Sequence, residues 1–330
     1  MQLVLPRLSM KILIDKYIPY LQGIVDHLAD VSFLEPAQFT PEAVRDADAL
    51  IIRTRTRCNP DLLKGSRVQF IATATIGTDH IDLDYCRAHN IRVVSCPGCN
   101  AKAVCDYVEE ALNEMLRLVY HDQPLDLSQP LPGYARLSLG VVGVGHVGKK
   151  VARMAMDKGF HVVVNDPPLS FNGDLSQCDV ITFHTPLTRK GDYPTYHLCD
   201  AKFLSRCKPG AFIINSARGG VVDEHALLES GHPFVIDTWE AEPNINRKVL
   251  NRAFLASYHI AGYSEIGKLN ASRTCLSELS KHFNLPKRVI HHSVLTGQGD
   301  NAPGWLKRVS DQLKANPADF EQLREQYVLR

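Results

Sequence analysis

The chain predicts an α/β protein of two doubly wound parallel-sheet domains with a short C-terminal extension. Three observations point there. Short apolar runs alternate with helix-like stretches along residues 10–100. A glycine-turn unit at residues 139–166 restarts the same alternation. Two long helical patterns, at 101–120 and 264–283, flank that second series, so the chain leaves the first domain by one helix and returns by another. At 330 residues and 45% apolar, each domain is large enough to bury its own core.

The elements follow in order. Residues 11–14, 31–34, 49–54, 68–75 and 91–95 are short apolar runs of strand length, expected as buried parallel strands. Between them, 17–29, 41–46, 60–64 and 79–88 are expected as helices or helical turns. The segment 101–120 carries Val104, Val108, Leu112, Met115 and Leu116 at helical spacing. A polar, Pro-bearing connection, His121–Pro132, follows. The second series has strands at 139–142, 161–164, 180–184, 211–215 and 234–237, then the returning helix 264–283. The last segment is mixed and polar, with a helix expected at 318–327. The expected division is 1–104 with 264–283 for the first domain, 105–263 for the second and 284–330 for the extension. Residues 1–9 are read as an extension ahead of the first strand.

The second domain opens on its most informative motif. A strand runs into Gly143-Val-Gly145-His146-Val147-Gly148, a helix follows, then a second strand ending at Asp166. Gly143 permits a tight turn, Gly145 lets a pyrophosphate approach the backbone, and Gly148 lets helix and strand pack closely. The helix N-terminus around His146 and Val147 offers unpaired N–H groups to phosphate. Asp166 is placed to accept hydrogen bonds from ribose hydroxyls, and its charge would repel a 2′-phosphate. The motif therefore predicts a Rossmann domain that binds NAD in preference to NADP.

Composition narrows the partners. The 37 basic and 36 acidic residues leave a net charge of +1, too little to attract nucleic acid or an anionic membrane. No apolar run approaches the roughly 18–20 residues of a membrane span, and no secretory leader is read. Nine cysteines, an odd number scattered singly, fit a reducing cytoplasm. Cys96-Pro-Gly-Cys99 is a CxxC, but no second pair completes a zinc site, so it is read as a loop after a strand. No metal is expected.

Three islands downstream carry groups suited to chemistry: 214–227 with Arg218, 237–243 with Glu242 and Pro243, and 257–263 with His259. Each sits just after an expected strand or in a loop beyond the sheet, and ligands of open α/β sheets bind outside the carboxyl ends of the strands. Taken singly, each is an ordinary loop residue. Together, and after a cofactor loop, they suit a 2-hydroxy acid. A guanidinium clamps the carboxylate and polarises the C2 oxygen. A histidine takes the hydroxyl proton, and a carboxylate orients the imidazole.

The glycine loop, N-x-x-R-G-x-x-V-D at 215–223, D-x-x-x-x-E-P at 237–243 and H-I-A-G at 259–262 stand in the order found in the D-isomer-specific 2-hydroxyacid dehydrogenases. The chain resembles that family over about residues 10–283. The resemblance implies a flavodoxin-like substrate domain, Arg218 as substrate arginine, Glu242 as its carboxylate and His259 as acid/base. It also implies cofactor contacts at Thr185, Ser216, Ala217, Arg218, Asp237 and Gly262. A narrower resemblance, carried by 46–56, 72–82, 96–101, 165–168 and 259–264, is to the branch acting on a phosphorylated four-carbon 2-hydroxy acid in vitamin B6 synthesis. It implies substrate contacts at Thr54, Thr75 and Tyr263, with Asn100 in one of its segments, and a cytoplasmic homodimer. Arg53, Arg55 and Arg57 recur every second residue; on a strand they would share one face, and at least one of them, Arg53 as the candidate substrate contact, is expected to read the phosphate. Other D-2-hydroxy acids (3-phosphoglycerate, glycerate, hydroxypyruvate) and a non-catalytic NAD-sensing corepressor remain alternatives. Against the family pattern, 169–178 leaves two helical turns at most, 229–234 is brief, and the C-terminal segment is about half the expected length.

Overall fold

The computed structural model describes residues 10–26, 28–119 and 137–330; the extension 1–9 and the connection His121–Pro132 lie outside the described residues. The chain forms two compact units. One holds residues up to Asn100 together with Ser264–Gly297; the other holds Ala101–Tyr263 together with Gln298–Arg330. The expected boundaries at 104 and 284 thus fall at 100 and 297, and the extension is shared between the units.

In the first unit, strands β1 (Lys11–Asp15), β2 (Asp30–Leu34), β3 (Ala49–Ile52), β4 (Phe70–Thr73) and β5 (Arg92–Val94) form a parallel sheet in the order β2-β1-β3-β4-β5. That is the flavodoxin-like doubly wound order. Every residue of β3 and β4 is buried, as expected for strands covered on both faces. Side chains alternate between two cores. Ile12, Ile14, Ile51 and Phe70 face one, with Leu269, Cys275 and Leu279 of the returning helix. Leu13, Leu50, Ile52 and Ile71 face the other, where the short helices α1 (Pro41–Val44), α2 (Pro60–Leu63) and α3 (Leu83–Ala88) pack.

Two expectations fail in this unit. The segment 17–29 is a run of turns in its described residues, not a helix. Pro19 lacks a backbone donor, and Tyr20 and Gly23 take φ of 67° and 79°, which a right-handed helix excludes. Its helical apolar spacing is real, because Ile18, Leu21, Val25 and Leu28 are all buried in one core. Second, β3 stops at Ile52, so Arg53, Arg55 and Arg57 lie in the following turn and do not share a strand face.

The second unit begins with α4 (Ala101–Val119). Then come β6 (Ser138–Val142), α5 (His146–Asp157), β7 (His161–Asp166), β8 (Phe171–Asn172), β9 (Val180–Phe183), α6 (Ala201–Leu204), β10 (Phe212–Asn215), α7 (Glu224–Glu229), β11 (Phe234–Ile236), α8 (Arg247–Arg252) and β12 (Leu255–Ala256). The chain crosses to the first unit as α9 (Glu265–His282) and ends here with α10 (Trp305–Ala315) and α11 (Phe320–Glu325). The sheet order is β12-β11-β10-β9-β6-β7-β8. Strand order reverses at β6, between β7 and β9, the switch point at which open α/β sheets bind ligands.

The short 169–178 connection holds no helix at all. Pro167 and Pro168 open a single 3₁₀ turn, Ser170 reverses the chain at φ 62°, and β8 pairs antiparallel with the end of β7, Asp166 opposite Phe171. A hairpin on the sheet edge replaces the crossover helix.

Candidate active site

The glycine loop leaves β6 through Gly143 at φ 86°. A Cβ on Gly148 would lie 1.9 Å from the Gly143 carbonyl oxygen, so α5 starts against the strand only because that position has no side chain. A Cβ on Gly145 would meet nothing within 4 Å. The space above the loop is open. His146 and Val147 begin α5, and Gly145 at its N-cap supplies no side-chain cap, which leaves the first amides available to an anion.

Asp166, at the end of β7, accepts a 2.7 Å hydrogen bond from the Val144 N–H through Oδ2. One oxygen thus holds the glycine loop, and the carboxylate ends the strand next to it. Holding the loop and the expected reading of the ribose separate by substitution. Asp166→Asn keeps an acceptor for Val144 but removes the charge, and is expected to relax discrimination against NADP by about tenfold or more. Asp166→Ala should lose both and weaken NAD as well. Titration of both cofactors against each variant checks this; an unchanged preference would mean that the ribose is read elsewhere.

The fit to a dinucleotide shows in polar atoms left over. Thr185 Oγ1 follows β9, Ser216 Oγ follows β10 and Thr238 Oγ1 follows β11; all three are buried without a hydrogen-bond partner among the described residues. The same holds for His184 Nδ1, while its Nε2 lies 3.0 Å from Thr182 Oγ1. Burial pushes the His184 imidazole down to about 3, so it is neutral. Native proteins seldom leave such atoms unsatisfied, and a ligand or ordered water normally meets them. All four sit at strand ends on the switch-point edge.

Arg218 stands on the turn after β10. Asn215 shapes that turn: its Oδ1 accepts from Ala217 N–H at 3.2 Å, and its Nδ2 donates to the carbonyls of Arg218 at 3.2 Å and Thr238 at 3.4 Å. Arg218 Nη1 donates to the Ala217 carbonyl at 2.8 Å. A Cβ on Gly219 would fall 1.8 Å from the Trp239 carbonyl oxygen. Only glycine lets the Arg218 turn press against the segment leading to Glu242.

Glu242 and His259 are hydrogen-bonded, Nδ1–H donating to Oε2 at 2.8 Å, a contact that becomes an ion pair when the imidazole is protonated. Glu242 Oε1 accepts from the Trp239 N–H at 2.9 Å, which fixes the carboxylate. One residue pair steadies the segment ahead of it. Glu224 Oε1 accepts from Glu240 N–H at 2.7 Å, and Glu240 Oε1 accepts from Glu224 N–H at 3.0 Å. His259 has a φ of 60°, held by buried Asp237, whose carboxylate accepts from Ser257 Oγ at 2.6 Å and from the amides of Ile260 at 2.8 Å and Ala261 at 3.0 Å. The turn continues through Gly262, with Tyr263 N–H donating to Ile260 at 2.8 Å.

Electrostatics assigns the tautomer. Burial alone would raise Glu242, but the His259 hydrogen bond and charge, the Trp239 amide and Arg324 together hold it below its usual range. An ionised carboxylate only accepts, so Nδ1 carries its proton and Nε2 is the basic nitrogen of neutral His259. For His259, burial would depress the imidazole and Arg218 adds to that; Glu242, with Asp237, outweighs both, and its value is raised above 6.5. Burial raises Asp237 above its ordinary range, against His259, Ser257 and the two amides.

The second unit therefore brings together the glycine loop, Asp166, Thr185, Ser216, Ala217, Arg218, Asp237, Glu242, His259 and Gly262. Tyr263 belongs there too and packs on Tyr327, ring centroids 6.4 Å apart. Arg53, Thr54, Thr75 and Asn100 belong to the first unit. Thr54 is exposed in the turn after β3. Thr75 Oγ1 lies 2.6 Å from Thr73 Oγ1 and donates to the Gly77 carbonyl at 3.0 Å. Asn100 Oδ1 is buried without a hydrogen-bond partner among the described residues. Arg53 turns its Nε and Nη2 to fully buried Asp15, at 2.9 and 3.2 Å, so much of its charge neutralises a core carboxylate. All nine cysteines are free, and the nearest sulfur to Cys96 in the hydrogen-bond network is Cys275 at 3.8 Å, not Cys99. Asn215, Thr238 and Arg324 were not foreseen. Asn215 could have been, since it opens the island that holds Arg218.

Residues 126–261 match the family described as D-isomer specific 2-hydroxyacid dehydrogenase, NAD binding domain. The glycine loop therefore belongs to an NAD-binding domain. Among curated relatives, the erythronate-4-phosphate dehydrogenase of Bacteroides fragilis is 42% identical, over 97% of this chain and 97% of that protein. The enzyme of that name from Cronobacter sakazakii is 35% identical, over 97% and 92%. Among solved structures, NAD⁺-bound 3-phosphoglycerate dehydrogenase from Entamoeba histolytica has a TM-score of 0.67 at 24% identity, covering 84% of this chain and 96% of that one. D-lactate dehydrogenase from Aquifex aeolicus, complexed with NAD and lactic acid, has a TM-score of 0.63 at 20% identity, covering 83% and 95%. These two share the fold.

Proposed function

The chain belongs to the erythronate-4-phosphate dehydrogenases, within the D-isomer-specific 2-hydroxyacid dehydrogenase family, and from that premise we propose that it oxidises C2 of 4-phospho-D-erythronate to the 2-oxo acid, a step of vitamin B6 synthesis. The observation that carries the reading is the Glu242–His259 pair at 2.8 Å, beside an arginine turn on the same sheet edge as the NAD loop.

The residues divide the work. Arg218 binds the substrate carboxylate and polarises the C2 oxygen. His259 Nε2 takes the C2 hydroxyl proton, and Glu242 on Nδ1 stabilises the imidazolium that results. Asp237 keeps the loop in the conformation that presents His259. NAD, when bound, supplies the acceptor for the C2 hydride. Thr54, Thr75, Asn100, Tyr263 and Arg53 are inferred as substrate contacts; the buried, unpartnered Asn100 Oδ1 supports this most, and the Arg53–Asp15 pair supports it least. No described helix is long and apolar enough to cross a membrane. Free cysteines support a cytoplasmic setting, and the family supports a homodimer, which light scattering of the purified chain tests.

Oxidation needs His259 neutral. Since its folded value is raised above 6.5, kcat/KM for oxidation should fall as pH drops through a limb above 6.5. The reverse reduction needs the protonated ring and should persist below that limb. Steady-state profiles in both directions check this, and an oxidation limb at or below 6.5 would remove the Glu242 charge from the account. The direct test of substrate is NADH formation from 4-phospho-D-erythronate, with 3-phosphoglycerate and D-glycerate in parallel. Turnover of the four-carbon phosphate alone supports the reading; turnover of another acid alone overturns the substrate and keeps the acid–base pair.

A further inference from the structure

The last helix of the chain reaches the acid–base pair. Phe320 and Leu323 anchor α11 in the core of the second unit. One residue on, Arg324 places Nη1 3.6 Å from Glu242 Oε2, the same oxygen that accepts from His259. Glu321 grips the same guanidinium through Nη2 at 2.5 and 2.6 Å. Beyond the helix, the Tyr327 ring lies 6.1 Å from Tyr258 and 6.4 Å from Tyr263, on either side of His259 in the chain. Arg330 Nη2 donates to the Ala261 carbonyl at 2.9 Å, and its guanidinium carbon Cζ lies 4.0 Å from the Trp305 ring centroid. The C-terminal segment thus holds both the carboxylate and the loop that carries the imidazole.

An ordinary helix clasp would need only the Glu321–Arg324 pair, since neighbours one turn apart satisfy each other. Here Arg324 side-chain exposure is 23% and that of Glu242 is 18%, so the charges meet where solvent screens them less than at an open surface. Glu242 Oε2 is shared between the His259 Nδ1–H and the Arg324 guanidinium. We propose that Arg324 is a positioning residue of the acid–base pair: balanced by Glu321, it orients the Glu242 carboxylate and sets how much of its negative charge reaches His259. The proposal rests on the acid–base reading of His259 given above.

The groups that face the pair are few. Arg218, Asp237 and Glu242 act on His259; His259 and Arg324 act on Glu242; Glu224 stands near enough to sense Glu242; Glu321 acts through Arg324. The sign of each change follows. Without Arg324, Glu242 is left wholly to His259 and a repelling cation is gone, so the imidazolium is favoured. Without the Glu321 charge, Arg324 acts at full strength and the imidazolium is disfavoured.

The test uses the full chain with ¹⁵N-labelled histidine, the His259 signals being identified by their loss in His259→Asn. Arg324→Gln should move the His259 titration up by about one pH unit, Arg324→Lys should return most of that shift, and Glu321→Gln should move it down. The acid limb of oxidation should move with each. Opposite shifts from the two charge-removing variants are what loosened packing cannot produce. Titrations unmoved in both, or moved in the same direction, overturn the proposal. Should Arg324→Gln fail to fold, Glu321→Gln decides alone: a downward shift sustains the proposal, and no shift or an upward one ends it. Ring titration needs no turnover, so inactivity toward 4-phospho-D-erythronate would overturn the substrate reading without touching this result.

Discussion

His259→Asn is expected to lower turnover by about 10²–10⁴-fold, the range that general acid–base catalysis contributes, while NAD still binds. The choice of asparagine matters. His259 sits at φ 60°, a region that asparagine tolerates and most residues do not. Its side-chain amide can donate to Glu242 where Nδ1–H did, so the carboxylate keeps a donor at Oε2 beside its Trp239 and Arg324 partners. What asparagine lacks is a group that accepts and holds a proton at the Nε2 position. Alanine would mix three losses: the base, the backbone preference and the Glu242 partner. Steady-state kinetics with a parallel NAD titration by fluorescence separate chemistry from binding. Normal turnover in a variant that binds NAD would remove His259 as the base.

Arg218→Gln should cost about 10²–10³ in kcat/KM, the scale of removing one electrostatic stabiliser from an active site. Two effects contribute. The substrate carboxylate loses a charged, two-pronged partner, which raises KM. The C2 oxygen loses the cation that stabilises it as the proton leaves, which lowers kcat. Arg218→Lys should restore little, because an ammonium is a point charge and not a planar fork. Arg218 also acts against protonation of His259, so its removal should shift the acid limb of oxidation upward. That shift distinguishes an arginine at the reacting centre from one that only anchors a distant part of the substrate. Unchanged kcat and KM would place the carboxylate elsewhere.

The parts of the site most legible in the sequence are those whose chemistry is local. The glycine loop, the strands on either side of it and Asp166 lie within one stretch of chain, and glycine at 143, 145 and 148 reports backbone requirements that only glycine meets. The Arg218 and Glu242 islands could be read for the same reason, since each follows an apolar run of strand length, and the His259 island follows them in order. The resemblance then supplied roles that spacing does not. Where local pattern and local backbone disagreed, the sequence misled. The stretch 17–29 has helical apolar spacing, yet its described residues fold as turns around Pro19, Tyr20 and Gly23. Arg53, Arg55 and Arg57 alternate like a strand face, but the strand ends before them.

From the sequence by itself came two doubly wound units, an NAD loop and three candidate side chains in order. Only the tertiary structure decided that Gly219 is where the Arg218 turn meets Trp239, that β8 replaces a crossover helix, and that Arg53 serves buried Asp15. It alone brought Arg324 to Glu242, from a helix that the sequence located without a partner. The reason is physical. Turn and strand preferences act over a few residues, whereas a 3.6 Å approach between Glu242 and Arg324 depends on how Phe320 and Leu323 pack into a core built from the rest of the unit.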